Sequence, residues 1–267
     1  MPETAWSLPL HCFAAAAAAL VAFSRCLLGD VHFTNFDDDR NYEWNKHVQG
    51  LSVASLRWSI EDGTLIGVFE PVSNVLKMLL GSLVGITARS VVTTNVVLHA
   101  CVVGVSVVVS ERLVLHVRRA YFEGMLDHHP STSSSPPPPP PPAILRPAMA
   151  ASAVFFGCHP MRVEAVAWAS CMPYLHAALF LQLSLYAHLR TTTTTTTKLP
   201  LLRVGFWRCV SFVSFALASF CKAPAVTFVG FLVILDACCD KLRRPRSATG
   251  YAALSVARRT MERGPEL

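Results

Sequence analysis

The run LPLHCFAAAAAALVAFSRCLL, residues 8–28, sets the class of the fold. Only His11, Ser24 and Arg25 interrupt its apolar character. A helix of about 20 residues, rising about 1.5 Å per residue, crosses the hydrocarbon core of a bilayer. We therefore predict a transmembrane helix here. A cleaved signal peptide is the alternative, but residues 1–7 carry Glu3 and no basic residue, which disfavours it.

The composition of the whole chain indicates the same class. Of the 267 residues, 52% are hydrophobic and 15% are charged, and the mean hydropathy is +0.43. Soluble domains are seldom so apolar. The net charge of +6 does not indicate a nucleic-acid partner, because the basic residues cluster at the ends of apolar runs, where they orient membrane helices. The nine cysteines form no CxxC pair, so they predict no metal site.

Residues 30–70 form a polar segment in which Asp37, Asp38 and Asp39 are consecutive. Adjacent carboxylates repel one another and are costly to bury. Such a triplet therefore either faces water in a solvated loop or serves a cation or a proton transfer. We favour the functional interpretation because apolar runs flank the segment. Its excess of acidic residues predicts a position on the non-cytoplasmic side of the membrane, as the positive-inside rule suggests.

The order of apolar runs and basic loops predicts an all-α bundle of about six membrane spans. Within it, residues 72–83 place their apolar positions on one stripe opposite Ser73, Lys77 and Ser82, which predicts a helix lying in the interface. The basic loop after the seven-threonine tract includes Arg203 and Arg208. We divide the chain into a first transmembrane helix (1–29), an acidic loop with the interfacial helix (30–90), a transmembrane helix (91–115), a cytoplasmic Pro-rich linker (116–147), transmembrane helices with a His-Pro turn (148–240) and a basic cytoplasmic tail (241–267).

Several polar residues lie within or between these apolar runs. Asn95 and His99 are four positions apart and share a helix face, where a packing role is favoured over a functional one. His159 precedes Pro160 and is placed to cap a new helix, with Glu164 in its first turn; phosphate binding is the functional alternative. Lys222 is expected either to extend to the interface or to bind an anion.

Ordered motifs along residues 30–245 carry a family resemblance. They comprise Asp37-Asp38-Asp39 with Asn45 and His47-Val48-Gln49, Leu56-Arg57-Trp58, Glu70-Pro71-Val72 leading to Leu79 and Gly85, Asn95-Val96-Val97-Leu98-His99-Ala100, His159-Pro160 with Val163-Glu164-Ala165-Val166-Ala167-Trp168, and Lys222 with Pro224 and Asp236. In their order and spacing, the chain resembles the transmembrane and tetratricopeptide-repeat O-mannosyltransferases of the GT-C glycosyltransferase class.

This resemblance implies a helical membrane bundle with its active site at the luminal face of the endoplasmic reticulum. It implies a dolichyl-phosphate-linked sugar as donor, an acceptor protein and transfer of mannose to Ser or Thr. Asp37 and Asp38 match the catalytic acidic motif by position. The candidates for binding the donor phosphate are Arg40, His159, Arg162 and Lys222, and the supporting residues are Asp39, Asn45, Asn95, His99 and Glu164. Adjacent carboxylates can hold a divalent metal or act without one, so the need for a cofactor stays open.

Two departures from the family keep other functions in view. Relatives commonly have an arginine and an acidic residue shortly after the tryptophan of the His-Pro segment, where this chain has Ser170-Cys171-Met172-Pro173-Tyr174-Leu175-His176. The chain also shows no repeat of the tetratricopeptide type. A non-catalytic membrane scaffold is therefore the first alternative. A small-solute transporter, with Asn95 and His99 lining a path, is the second.

Overall fold

The computed structural model describes residues 7–63, 67–128, 142–194 and 201–243, which are helical and contain no strand. The helices are α1 (Ser7–Phe23), α2 (Val53–Glu61), α3 (Pro71–Val84), α4 (Ala88–His128), α5 (Pro142–Gly157), α6 (Val163–Ala167), α7 (Met172–Thr194), α8 (Leu201–Cys221) and α9 (Phe228–Arg243). The predicted all-α class is confirmed. Two compact units are present.

Four stretches in the described residues are helical and apolar enough to span a membrane: Leu8–Leu27, Ala88–Gly124, Leu201–Cys221 and Ala223–Arg243. The pair Pro160–Ala167 and Ala169–Thr191, bent by 94°, would make a fifth. Large apolar side chains such as Phe13, Val21 and Phe212 are exposed on these stretches, as expected for surfaces that face lipid. The chain is a multi-pass helical membrane protein. About six spans were predicted, and the described residues contain four candidate spans, or five if the bent pair is one span. Helix α3, predicted to lie in the interface, is a shorter apolar helix.

Two of the predicted segment ends were wrong because helical sequence continues past the charged residues. Helix α4 runs beyond residue 115 to His128, so Arg118 and Arg119 lie in a helix and not in the linker. An i,i+4 ion pair between Arg119 and Glu123 supports this extension. Helix α8 begins at Leu201, which places Arg203 and Arg208 in the helix and not in a loop.

The first unit contains α1–α3, α4 up to Val114, and α5–α8. One of its cores joins α1, α4 and α5 through small and β-branched side chains: Ala15, Ala19, Ala100, Val103, Val107, Met149 and Ala153. Gly104 lies so close to α1 that a Cβ there would be 3.1 Å from the carbonyl oxygen of Cys12. Close backbone approach at small residues is how membrane helices pack without a hydrophobic driving force.

The acidic segment is attached to this bundle at both ends. Arg89, at the start of α4, donates hydrogen bonds to the carbonyl oxygens of Leu27 (2.7 Å) and Gly29 (2.5 Å), where the first helix has ended. At the other end, Pro71 occupies the first turn of α3, a position where its missing N–H costs nothing. These contacts hold the described ends of the acidic segment next to α4 and α3.

Helix α3 turns its polar stripe inward. Ser73, Asn74 and Lys77 are buried, whereas Leu79 and Leu83 on the apolar stripe are exposed. This orientation is the reverse of a soluble amphipathic helix and suits an element whose outer face meets lipid. As a result, α3 presents its polar side chains to the acidic segment and to α7.

The second unit contains α4 from Leu115 and α9 from Gly230. Within it, the guanidinium of Arg243 lies 3.0 Å from Glu123 and 3.3 Å from Asp240. A Cβ at Gly124 would overlap the backbone of Leu242, so the two helices approach closely at this point. The predicted tail from residue 244 onward, the polyproline tract up to residue 141 and the end of the threonine tract lie outside the described residues.

Candidate functional site

Asp38 is the anchor of a buried polar cluster. Its side chain is 1% exposed, and each carboxylate oxygen accepts two hydrogen bonds. Oδ2 accepts from the backbone N–H (3.0 Å) and the hydroxyl (2.8 Å) of Thr34. Oδ1 accepts from the backbone N–H (2.9 Å) and the hydroxyl (2.5 Å) of Ser170. Four donors satisfy the carboxylate and fix its position.

The two neighbouring aspartates have different environments. Asp37 is half-buried, and its side chain makes no hydrogen bond or ion pair with any residue that the structure describes. Asp39 is 8% exposed and accepts a hydrogen bond from the backbone N–H of Arg40 at 2.8 Å. The side chain of Arg40 is exposed. The triplet is thus neither a solvated loop nor a uniform site, because each carboxylate has its own surroundings.

The turn Ala169–Cys171 holds the other side of the cluster. It lies at the 94° bend that precedes α7, where the backbone groups are not used up by an α-helix. The hydroxyl of Tyr42 donates to the carbonyl oxygen of Ala169 at 2.9 Å, and Nδ2 of Asn41 donates to the hydroxyl of Ser170 at 3.0 Å. Burial, reinforced by the charges of Asp38 and Glu70, raises the pKa of Tyr42 well above its ordinary value. Its hydroxyl therefore remains a donor.

Lys77 on α3 is the cation of this cluster. Its side chain is 1% exposed, and Nζ lies 3.5 Å from Oδ1 of both Asn41 and Asn74, at the long end of hydrogen bonding. The ammonium also lies 5.3 Å from the centre of the Tyr42 ring. The pKa of Lys77 is lowered from 10.5 to about 8, mainly by burial; Lys222 also lowers it, while Glu70, Asp38 and Cys221 raise it.

A buried ion pair forms the side of the cluster that lies next to α8. Glu70, the N-cap residue of α3, forms an ion pair with Lys222, which directly follows the end of α8. The anion thus lies at a helix N-terminus and the cation at a helix C-terminus, which the two helix dipoles favour. Lys222 also lies over the ring of Tyr174, 4.6 Å from its centre. Lys222 therefore does not extend to the interface, and its charge already has a partner.

Two other predicted phosphate-binding residues, and Glu164, make no hydrogen bond or ion pair with this cluster among the described residues. His159 caps the turn Pro160–Arg162 by accepting from the N–H of Met161 at 3.2 Å, so the predicted capping role is confirmed. Arg162 lies over the ring of Phe156, and Glu164 is exposed in the first turn of α6. No hydrogen bond or ion pair among the described residues joins any of these three to the acidic triplet.

The remaining predicted residues make local or packing contacts. Asn45 is buried and accepts from the N–H of His47 at 3.1 Å, which shapes the turn after the triplet. Nδ2 of Asn95 donates to the carbonyl oxygen of Trp168 at 3.1 Å. Nε2 of His99 lies 2.8 Å from the carbonyl oxygen of Gly157. Both α4 residues thus bond to backbone groups at the ends of neighbouring helices, which is an interhelical packing arrangement.

Three buried polar atoms near the bend lack a hydrogen-bond partner among the described residues: Oδ1 of Asn95, Nε1 of Trp168 and Nε of Arg162. Because buried polar groups are nearly always satisfied, such atoms are candidates for contact with a ligand or with water. Trp168 also contacts the ring of Phe36, the residue before Asp37, at a centroid distance of 5.8 Å. The unsatisfied donor of Trp168 therefore lies close to the start of the acidic triplet.

Sequence reasoning missed part of the cluster: Asn41, Tyr42, Glu70, Ser73, Lys77, Ser170 and His176. A signal was present for Lys77, because a lysine in the middle of a short apolar helix has either to reach water or to find a polar interior. Ser170 stands among the residues noted as a departure from the family. Its link to Asp38, 132 positions away, could not be read from the sequence.

The described residues contain no group of three or more His, Cys, Asp or Glu side chains arranged to hold a metal ion. The two oxygens of Asp38 already accept four hydrogen bonds, so Asp37 and Asp38 are not arranged as a chelating pair. The chain matches no protein-family model, and no significant likeness to a curated protein or a solved structure is found.

Proposed function

We propose that this membrane protein is an O-glycosyltransferase that moves mannose from dolichyl-phosphate-mannose to a Ser or Thr hydroxyl of an acceptor protein. The sugar, the acceptor and the endoplasmic reticulum follow from the family resemblance of the motifs. The bundle of spanning helices supports a lipid-linked donor. One observation carries the catalytic part of the proposal: the two adjacent carboxylates of the acidic motif have opposite environments.

Asp37 is the general base of this proposal. A base must reach the hydroxyl proton and keep a free lone pair, and the carboxylate of Asp37 makes no hydrogen bond with the described residues. Asp38 cannot serve in the same way because all four of its hydrogen bonds would have to rearrange. Asp38 instead fixes the backbone on which Asp37 stands, so the pair divides into a reacting residue and a positioning residue.

The reaction balances with one base. Asp37 accepts the proton of the acceptor hydroxyl while the hydroxyl oxygen forms a bond to the anomeric carbon of mannose. The bond from that carbon to the phosphate oxygen breaks, and its electron pair leaves with dolichyl phosphate. The anomeric centre is inverted, and no covalent bond to the enzyme forms. Cations or hydrogen-bond donors must stabilise the charge that grows on the phosphate.

The contacts of the phosphate-binding candidates favour some of them over others. Lys222 is paired with Glu70, so it can hold a phosphate only at the expense of that ion pair. Arg40 is exposed and adjacent to the triplet, and Arg162 has an unsatisfied Nε. We therefore assign the leaving phosphate to Arg40 and Arg162. The unsatisfied atoms of Asn95 and Trp168 are suited to sugar hydroxyl groups, which both donate and accept hydrogen bonds.

The test is sugar transfer from dolichyl-phosphate-mannose to membrane proteins by the full chain, compared with Asp37→Asn. We expect Asp37→Asn to lower the rate about 100-fold or more, because the amide cannot accept the proton. The matched control is Asp62→Asn, an exposed acid on the same segment, which should leave the rate unchanged.

Asp38→Asn should also lower transfer. The amide NH₂ would replace one carboxylate oxygen and would face two of the four groups that now donate hydrogen bonds to Asp38. If the correctly inserted native chain transfers no sugar, the catalytic assignment fails and the non-catalytic scaffold takes its place. Transfer that survives Asp37→Asn would instead show that the base lies elsewhere.

A further inference from the structure

The buried cluster contains a directed chain of hydrogen bonds that joins its cation to its anchored carboxylate. Nζ of Lys77 donates to Oδ1 of Asn41 at 3.5 Å, and Nδ2 of Asn41 donates to Oγ of Ser170 at 3.0 Å. Oγ of Ser170 donates to Oδ1 of Asp38 at 2.5 Å. Asn41 and Ser170 each accept on the side of Lys77 and donate on the side of Asp38, so the dipoles of the amide and the hydroxyl point the same way.

All four members of this chain are buried. Lys77 and Asp38 are each 1% exposed, Asn41 is 6% exposed and Ser170 is 9% exposed. A buried ammonium or carboxylate without a counter-charge is costly, and the interior strengthens the electrostatic coupling between charges. No carboxylate in the described residues lies within ion-pair distance of Lys77. The counter-charge must therefore act at longer range.

The four charged groups around this chain of hydrogen bonds form two pairs, each with one cation and one anion. Glu70 and Lys222 are joined directly by their ion pair. That leaves Lys77 and Asp38, which have no direct contact and are joined by Asn41 and Ser170. The other titratable groups near the Lys77 ammonium are Tyr42 on the acidic segment, His176 on α7 and Cys221 at the end of α8. None of these supplies a carboxylate. Glu70, which is paired with Lys222, is the other carboxylate whose charge acts on Lys77.

We propose that Lys77 is a positioning residue for the acidic motif, and that the chain Asn41–Ser170 transmits its charge to Asp38. The ammonium polarises the amide and the hydroxyl, and this strengthens the short bond from Ser170 to Asp38. The backbone that carries Asp37 is thereby held towards the turn Ala169–Cys171. The consequence for catalysis rests on the proposed function, whereas the charge coupling itself does not.

The coupling can be measured without any sugar transfer, by a double-mutant cycle on the thermal unfolding midpoint of the full chain in detergent. Lys77→Met keeps the buried stem and removes the charge, and Asp38→Asn keeps the shape of the carboxylate. Once Asp38 is neutral, Lys77 has lost one of the two carboxylates whose charge acts on it, so its removal becomes more favourable. We expect the shift caused by Lys77→Met to be more positive by about 5 °C in the Asp38→Asn background than in the native background.

Repeating the double-mutant cycle in a Ser170→Ala background tests whether the chain of hydrogen bonds transmits the coupling. Without the Ser170 hydroxyl, we expect the shift in unfolding midpoint caused by Lys77→Met to differ by only about 1 °C between proteins with Asp38 and with Asp38→Asn, within the additivity of independent sites. The matched control is Lys46→Met, a lysine on the same segment whose side chain is exposed, which should show no dependence on Asp38. Lys77→Arg keeps the charge and should retain most of the coupling.

Two results would overturn this inference: additive shifts for Lys77→Met and Asp38→Asn, or a coupling that persists unchanged after Ser170→Ala. The second would mean that the charges act directly through space. Neither result bears on Asp37 as the base, which the transfer assay decides separately. Conversely, measurable coupling between Lys77 and Asp38 in a protein that transfers no sugar would support this inference and contradict the proposed function.

Discussion

At the scale of single residues, the structure separates side chains that the sequence presents as equivalent. Three consecutive aspartates become one anchored carboxylate, one that bonds its neighbour's backbone and one with no bond to the described residues. A single turn of π-helix, Asp39–Glu43, begins directly after Asp38. Because their contacts differ, the three carboxylates are not interchangeable.

Lys77 gives a pH prediction at this scale. Its pKa is about 8 in the folded chain and about 10.5 when exposed, because burial disfavours the ammonium. Between these two pH values the unfolded chain binds more protons, so the free energy of unfolding rises as the pH increases from 8 to 10.5. The contribution is about 3 kcal/mol and is constant below pH 8.

The measurement is the unfolding midpoint of the full chain between pH 7 and pH 11, compared with that of Lys77→Met. The native midpoint should gain relative to the variant across this window, because methionine has no proton to lose. Parallel pH curves for the two proteins would contradict the burial of a charged Lys77.

At the scale of elements, the site depends on how α3 meets the acidic segment. Helix α3 ends at Gly85, whose φ of 79° is readily adopted only by glycine. Within the helix, Gly81 faces the backbone of Val48 and Gln49. This close approach keeps the polar stripe of α3 against the segment that carries Asp38 and Asn41. A helix displaced outward would separate Lys77 from Asn41.

Gly81→Ala tests this contact. A Cβ at Gly81 would lie 2.7 Å from the carbonyl carbon of Gln49, and backbone atoms cannot rotate away. We expect the variant to lose about 2 kcal/mol of stability, as in other cases of overpacking. The control is Gly205→Ala in α8, where a Cβ meets no atom within 4 Å and the change should be neutral or stabilising. Equal effects in thermal unfolding would show that the contact is not tight.

At the scale of the whole molecule, the exposed surfaces of the spanning helices are apolar, and this predicts where reagents can reach. Cys101 in α4 and Cys209 in α8 are both exposed on the protein surface and both lie within candidate spans. In a bilayer these thiols face lipid. A charged reagent does not enter the hydrocarbon core, so it does not reach a thiol there.

We therefore expect a charged, membrane-impermeant maleimide to leave Cys101 and Cys209 unlabelled in opened membranes and to label both after denaturation. A cysteine placed by Lys46→Cys, on the exposed part of the acidic segment, should react in membranes without denaturation. Rapid labelling of Cys101 or Cys209 in intact bilayers would contradict their assignment to spans.

Local sequence was enough to predict the helical membrane class, the first span and the cap at His159. Each of these follows from apolar length or from a short motif, and these depend on neighbouring residues alone. The ends of α4 and α8 were less predictable, because charged residues can sit within a helix as well as end it. No local sequence pattern distinguished the environments of Arg40, Arg162 and Lys222 from one another.

The sequence by itself determined that this protein is an apolar helical chain with a concentrated acidic segment, because hydrophobicity and charge density are properties of composition and order. Only the tertiary structure decided which carboxylate is anchored, which lysine balances it and which residues complete the cluster. Asp38 meets Ser170 across 132 positions, and Glu70 meets Lys222 across 152. Contacts between residues so far apart arise when helices pack around a shared polar interior, where buried charges must find partners.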